Sequence, residues 1–259
     1  MVEEPKETTQ SVSQSVSFTY DWYKKLLNHL SQEGFRSARF DEPAHGQTLY
    51  LRHDVDLSPY KALKIGEIES ANGFSSTFFF LVGNPLYNIF DRPNREIIRE
   101  LEDLGHSIGV HFSTHQYASF QIDELELENY VRREQRILNE LAMDCSEFIS
   151  FHCPPNWVLG REYRSIRHTY EPTFFNEIGY IADSGQRWRD DPPVNLSIDA
   201  PLQLLTHPGL WGDDDRSYSE RIESSRRHHL DRIVRLTDNQ LKNDQFDVDG
   251  LDSGMKAER

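Results

Sequence analysis

The sequence predicts an α/β chain folded as a closed or nearly closed (β/α) barrel of about seven parallel strands with helices outside. Three observations lead there. Apolar runs of strand length alternate along the chain with segments whose apolar residues recur at helical spacing. The runs are continuous rather than alternating, the pattern of parallel strands covered by helices. Finally, run after run ends in His or Asp: Asp54 and Asp56, His111 and His115, His152, Asp183, His207. Barrel strands deliver functional side chains at their carboxyl ends.

Taken in order, residues 18–30 place Tyr23, Leu26, Leu27 and Leu30 on one helical face and stop before Gly34. Residues 48–53 read as a strand. Ser58-Pro59 is a cap followed by proline at the first helical position, opening a helix over 59–70. The run 77–82 (Thr-Phe-Phe-Phe-Leu-Val) is a buried strand. A helix over 94–104 closes at Gly105, and 106–111 is the next strand. Residues 122–141 form a charged amphipathic helix. Strands follow near 147–151, 178–183 and 202–206, and a last helix covers about 219–236.

A chain of 259 residues is long enough for one sizeable core. The ends differ from the middle in composition, so 1–17 is expected as a disordered leader, 18–237 as a single catalytic domain and 238–259 as a disordered acidic tail. The net charge of −15 argues against nucleic acid and anionic membranes as partners. Arginine far outnumbers lysine, and this acidic, lysine-poor balance fits a halophilic protein. The two cysteines, Cys145 and Cys153, make no disulfide framework, and Cys153 is expected as a small buried residue. No segment reads as a signal peptide or a membrane span, so a cytoplasmic protein is expected.

His111 and His115 can present two imidazoles to one ion if residues 112–114 form a single helical turn. Two His and a carboxylate are a recurrent hydrolytic set for Zn²⁺ and similar ions, with positions left open. Asp56 is the natural third ligand. Asp54 shares its side-chain parity on an extended segment, so both carboxylates can enter one pocket. One binds the ion, and the other is free to accept a proton from water.

Asp54-Val55-Asp56, His111-x-x-x-His115, Ser150-Phe151-His152-Cys153-Pro154-Pro155, Asp183-Ser184-Gly185 with Trp188, and Leu205-Thr206-His207-Pro208 occur in that order. Together they resemble the motifs of the polysaccharide deacetylase (NodB-like) superfamily, across residues 48–211. The resemblance implies a distorted, partly open β/α barrel. It also implies removal of N-acetyl or O-acetyl groups from carbohydrates with one divalent metal ion, zinc first and cobalt or nickel as alternatives. By the same resemblance Asp54 is the general base, and Asp56, His111 and His115 are metal ligands. His207 is the general acid, tuned by Asp183. Family members often carry an arginine in the third motif that pairs with the base. Here that stretch has none, and His152 is the candidate stand-in.

Trp188, Trp211 and Arg187 are expected to contact substrate: the tryptophans through the apolar faces of a sugar, the arginine through an anionic group. The substrate expected is a carbohydrate or an N-acylated small molecule. Two alternatives stay open, a catalytically weak carbohydrate-binding protein of the same fold and a hydrolase of a non-sugar amide. Nothing in the sequence sets the oligomeric state.

Overall fold

The computed structural model describes residues 15–118, 121–193 and 200–241. The expected leader and tail lie outside them, apart from 15–17, where Val16 is buried, and 238–241, which continue the last helix.

The element order is α1 (Tyr20–Gln32), β1 (Arg36–Ser37), β2 (Thr48–Val55), α2 (Pro59–Ala71), β3 (Thr77–Phe80), α3 (Arg92–Asp103), β4 (Ser107–Phe112), α4 (Glu124–Asn139), β5 (Cys145–Phe151), β6 (Arg167–His168), α5 (Pro172–Phe175), β7 (Gly179–Ala182), β8 (Leu202–Thr206) and α6 (Tyr218–Leu241). Local chemistry sets the helix starts. Thr19, Ser58 and Asp123 accept from the backbone N–H of Trp22, Lys61 and Glu126 at 3.2, 3.3 and 3.0 Å, satisfying donors that the first turn leaves free. Pro59 follows its cap directly, and Glu124 and Glu126 sit at the positive end of α4.

The strands pair in the order β6-β5-β4-β3-β2-β8-β7, all parallel, with β1 beside the start of β2. The edge strands β6 and β7 are not paired with each other among the described residues, so the barrel is partly open there. The sheet curls all the same. Gln203 on β8 donates from Nε2 to the carbonyls of Thr169 and Phe174, just beyond β6, at 3.0 and 2.9 Å.

Side-chain parity separates two cores. Leu49, Leu51 and Val55 on β2 face the helices and join the large cluster with Leu26, Ile65 and Ile98. Tyr50 faces inward with Phe79, Phe148, Phe40 and Phe174, closing the bottom of the barrel with aromatic rings. Gly109 on β4 is opposite Phe79, and a Cβ there would lie 2.7 Å from the Phe79 ring. Any larger residue at 109 would push that plug aside. Gln203 lies level with Tyr50, while Arg52, Asp54, His111 and Ser150 share the inward parity but sit higher, toward the carboxyl ends of the strands. That is where the site is built.

Candidate metal centre

Asp56 follows β2 directly, His111 is the penultimate residue of β4, and His152 follows β5. Three donor atoms from these residues form a near-equilateral triangle. Asp56 Oδ1 lies 3.1 Å from His111 Nε2 and 3.0 Å from His152 Nδ1, and the two nitrogens are 3.0 Å apart. Tetrahedral ligands on bonds of about 2.0–2.1 Å would be about 3.3 Å apart. Of the described His, Cys, Asp and Glu side chains, this is the group able to hold a metal ion.

Two observations test that fit. Asp56 Oδ1 is buried and has no hydrogen-bond partner, despite two imidazole nitrogens at ion-pair distance. An orphaned carboxylate oxygen is costly unless something else satisfies it. The second observation is the tautomer of His111. Its Nδ1 lies 3.0 Å from the Ser150 carbonyl, which only accepts, so the proton sits on Nδ1 and Nε2 is bare. A backbone carbonyl behind a ligating imidazole is the usual orienting contact in metal sites. The N₂O donor set therefore fits a divalent ion with open positions.

His115 is not part of this group. Ser113 is extended (φ −102°, ψ 108°) and only residues 114–116 form a tight 3₁₀ turn, so His115 does not stand one helical turn from His111; it is exposed. The expected helical turn over residues 112–114 is absent, and His152 occupies the third corner instead. His152 accordingly does not serve as the stand-in partner of Asp54, since its Nδ1 faces Asp56.

The missing third-motif arginine is matched by one from another strand. Arg52, two residues before Asp54 on β2, donates from Nε to Asp54 Oδ1 at 3.0 Å and from Nη2 to Oδ2 at 2.7 Å. Neither side chain reaches solvent to any extent (0% and 2% exposed). Ser150 accepts from Arg52 Nη2 at 2.6 Å and donates to Asp54 Oδ1 at 2.7 Å. Tyr170 accepts from the same nitrogen at 2.8 Å, and the side-chain oxygen of Gln203 accepts from Nη1 at 3.4 Å. Burial is the strongest single influence and opposes charge on Asp54, but the Arg52 guanidinium together with His111 and His207 outweighs it and holds the carboxyl at a pKa of about 2. Sequence reasoning missed Arg52. The available signal was a charged residue at inward parity between Leu51 and His53.

On the opposite side, His207 and Asp183 follow β8 and β7. His207 Nδ1 is 2.6 Å from Asp183 Oδ1, both Asp183 oxygens accept from the His207 backbone N–H at 3.1 Å, and Trp211 Nε1 donates to Oδ2 at 2.9 Å. Nε2 of His207 is left facing Asp56 Oδ2 at 3.9 Å. Burial is the strongest single influence and works against a charged His207, but the Asp183 carboxylate together with Asp56 and Asp54 outweighs it and raises the pKa to about 9.

The remaining expectations fall elsewhere. Trp188 and Trp211 are buried and packed against Trp22, Trp211 stacked at 5.9 Å and Trp188 tilted at 6.3 Å between centroids, and line no accessible rim. Their bulk fills the gap between α1 and the loops after β7 and β8. Arg187 is held by the Ser184 carbonyl at 3.3 Å. Cys153 is exposed rather than buried, in the left-handed region at φ 44°, with Sγ 3.5 Å from His152 Nε2. His53 faces the helices, between Thr206 Oγ1 at 2.7 Å and Glu69 Oε1 at 2.8 Å.

No family model and no curated protein matches the chain. Solved structures to which it is similar include family 4 carbohydrate esterases, deacetylases and pseudoenzymes. A deacetylase from Streptococcus pyogenes, solved with acetate, shares 13% identity at a TM-score of 0.44, over 80% of this chain and 90% of that one. A family 4 carbohydrate esterase from Bacillus anthracis shares 14% at 0.39, over 89% and 93%. A pseudoenzyme of the same family from Bacillus anthracis shares 13% at 0.39, over 71% of this chain, which spans 60% of its length.

Proposed function

We propose that the chain is a metal-dependent hydrolase that removes an N-acetyl or O-acetyl group from a sugar or glycan precursor. The observation that carries this reading is the triangle of Asp56, His111 and His152, set between a carboxylate held ionised and an imidazole held protonated.

Asp56, His111 and His152 would hold the divalent ion, zinc first, with cobalt or nickel as alternatives. When bound, such an ion supplies positive charge that polarises an acyl carbonyl and acidifies a nearby water. Asp54 is the base. Among the described hydrogen bonds Arg52 Nη2 is the donor to its Oδ2, which keeps a lone pair for the incoming proton. The low pKa makes Asp54 a weak base in isolation, so its value is position and permanent ionisation, with water acidified by the ion. Arg52 and Ser150 fix its orientation. His207 is the acid. Its Nδ1–H is committed to Asp183, so the proton on Nε2 is the one facing the reacting group. Delivery of that proton to the departing nitrogen matters because an amine anion is a very poor leaving group.

Arg52 also bears on the reading as a weak binding protein, since the base retains a buried guanidinium partner although the third motif lacks one. Acetate release from N-acetylated sugars, assayed with Zn²⁺, Co²⁺ and Ni²⁺, tests the proposal. Metal-dependent turnover abolished by Asp54→Asn supports it. Intact metal binding with no turnover on any acetylated sugar or small amide would refute it.

A further inference from the structure

We propose that α6 pairs with α6 of a second copy of this chain, antiparallel, about a midpoint near Ile233. One side of α6 is docked. Arg221 donates to the Leu210 carbonyl at 3.0 Å, Ser225 to that of Leu57 at 3.4 Å, and Arg232 pairs with Asp91. At about 100° per residue these three lie on one face of the helix. The opposite face carries Leu230, Ile233 and Val234, which are 52, 42 and 53% exposed. Three large aliphatic side chains at i, i+3 and i+4, pointing away from the barrel, are the pattern of a helix that has a partner.

Charge selects the occupant and its direction. The chain as a whole carries −15, so two copies repel over most of their surfaces. α6 is the exception: it bears Arg221, Arg226, Arg227, Arg232 and Arg235 against Glu220, Glu223, Asp231 and Asp238. A parallel pair would set each of these charges against its own copy. An antiparallel pair centred near Ile233 instead brings Arg227 level with the second copy's position 238, an aspartate. In that register Ile233 meets its counterpart, Val234 lies about 3 Å along the axis from its own, and Leu230 falls between the second copy's Ile233 and position 237. Arg227 and Asp238 flank the apolar stripe on the same side, both exposed, and Arg227 also pairs with Glu223 at 2.9 Å. Within one helix, residues 227 and 238 are about 16 Å apart along the axis, too far to pair with each other.

Light scattering on the full chain after gel filtration tests this. Wild type is expected at twice the chain mass at micromolar concentration. Ile233→Asp should give the single-chain mass with an unchanged far-ultraviolet circular dichroism spectrum, because within one chain the side chain is 42% exposed and its loss removes little of the barrel core. Arg227→Asp and Asp238→Arg should each shift dimer towards monomer by about tenfold in dissociation constant, and the double reversal should restore the dimer. A wild-type monomer, or a dimer that Ile233→Asp leaves intact, overturns the proposal. So does a double reversal no better than either single change.

Discussion

Arg52 and Asp54, two residues apart on β2, form a two-pronged ion pair of 3.0 and 2.7 Å inside the barrel. Their shared parity on an extended strand points both side chains inward, and their spacing is what a guanidinium needs to reach back to a carboxylate. In the proposed mechanism β2 thus supplies the base and the partner that keeps it ionised, and Asp56, the residue that follows the strand, is a metal ligand.

Removing one member of a buried pair leaves the other charge uncompensated. Arg52→Met is expected to cost about 3–5 kcal/mol in stability. Arg52→Lys keeps the charge but loses the fork, so it should fold with a smaller loss and a reduced kcat. Denaturant unfolding and steady-state kinetics on both variants check this. Equal stability of Met and wild type would show that the pair is unimportant.

The two aspartates should separate in their effects. Asp56→Ala is expected to lose metal and activity together, whereas Asp54→Asn retains metal and loses turnover. Elemental analysis alongside acetate release reads the difference. Equal metal loss from both changes contradicts the assignment of roles.

His207→Gln and Asp183→Asn should lower kcat by about 10²–10⁴-fold if His207 is the acid, with metal content unchanged. The loss should be smaller for an ester substrate than for an amide, because an alkoxide leaves more readily than an amine anion. Identical losses on both substrates argue against an acid role.

Glu134 on α4 provides a pH test remote from the centre. Burial pushes its carboxyl up to about 7, with the Tyr117 hydroxyl at 2.6 Å acting in the opposite direction. In the unfolded chain such a group titrates near about 4.3. Between these values the folded state holds the proton that the unfolded state has released. Stability therefore falls as pH rises through that window and stays lower above it. Glu134→Gln should raise the melting temperature by a few degrees at pH 8 and leave it nearly unchanged at pH 4. A gain of equal size at both values contradicts the shift.

Most of the barrel is legible because its long strands are buried on both faces and leave continuous apolar runs. β1 and β6, two residues each, leave no such run and are defined by pairing alone. The strand-end positions of Asp54, Asp56, His111, Asp183 and His207 could be read from where each run stops. The third corner could not. The i, i+4 spacing of His111 and His115 suits a helical turn, but one extended residue at Ser113 breaks it and aims His115 outward. Arg52 was hidden because its function depends on Ser150, Tyr170 and Gln203, which only the curl of the sheet brings around it. Trp188 and Trp211 show the converse. Nothing local distinguishes a rim tryptophan from one stacked in the core.

The most direct measurement is cobalt(II) binding followed by its visible absorption in wild type, His152→Ala and His115→Ala. The structure predicts one equivalent in wild type, loss of the spectrum in His152→Ala and an unchanged spectrum in His115→Ala. Loss in His115→Ala with retention in His152→Ala would contradict the Asp56, His111 and His152 centre.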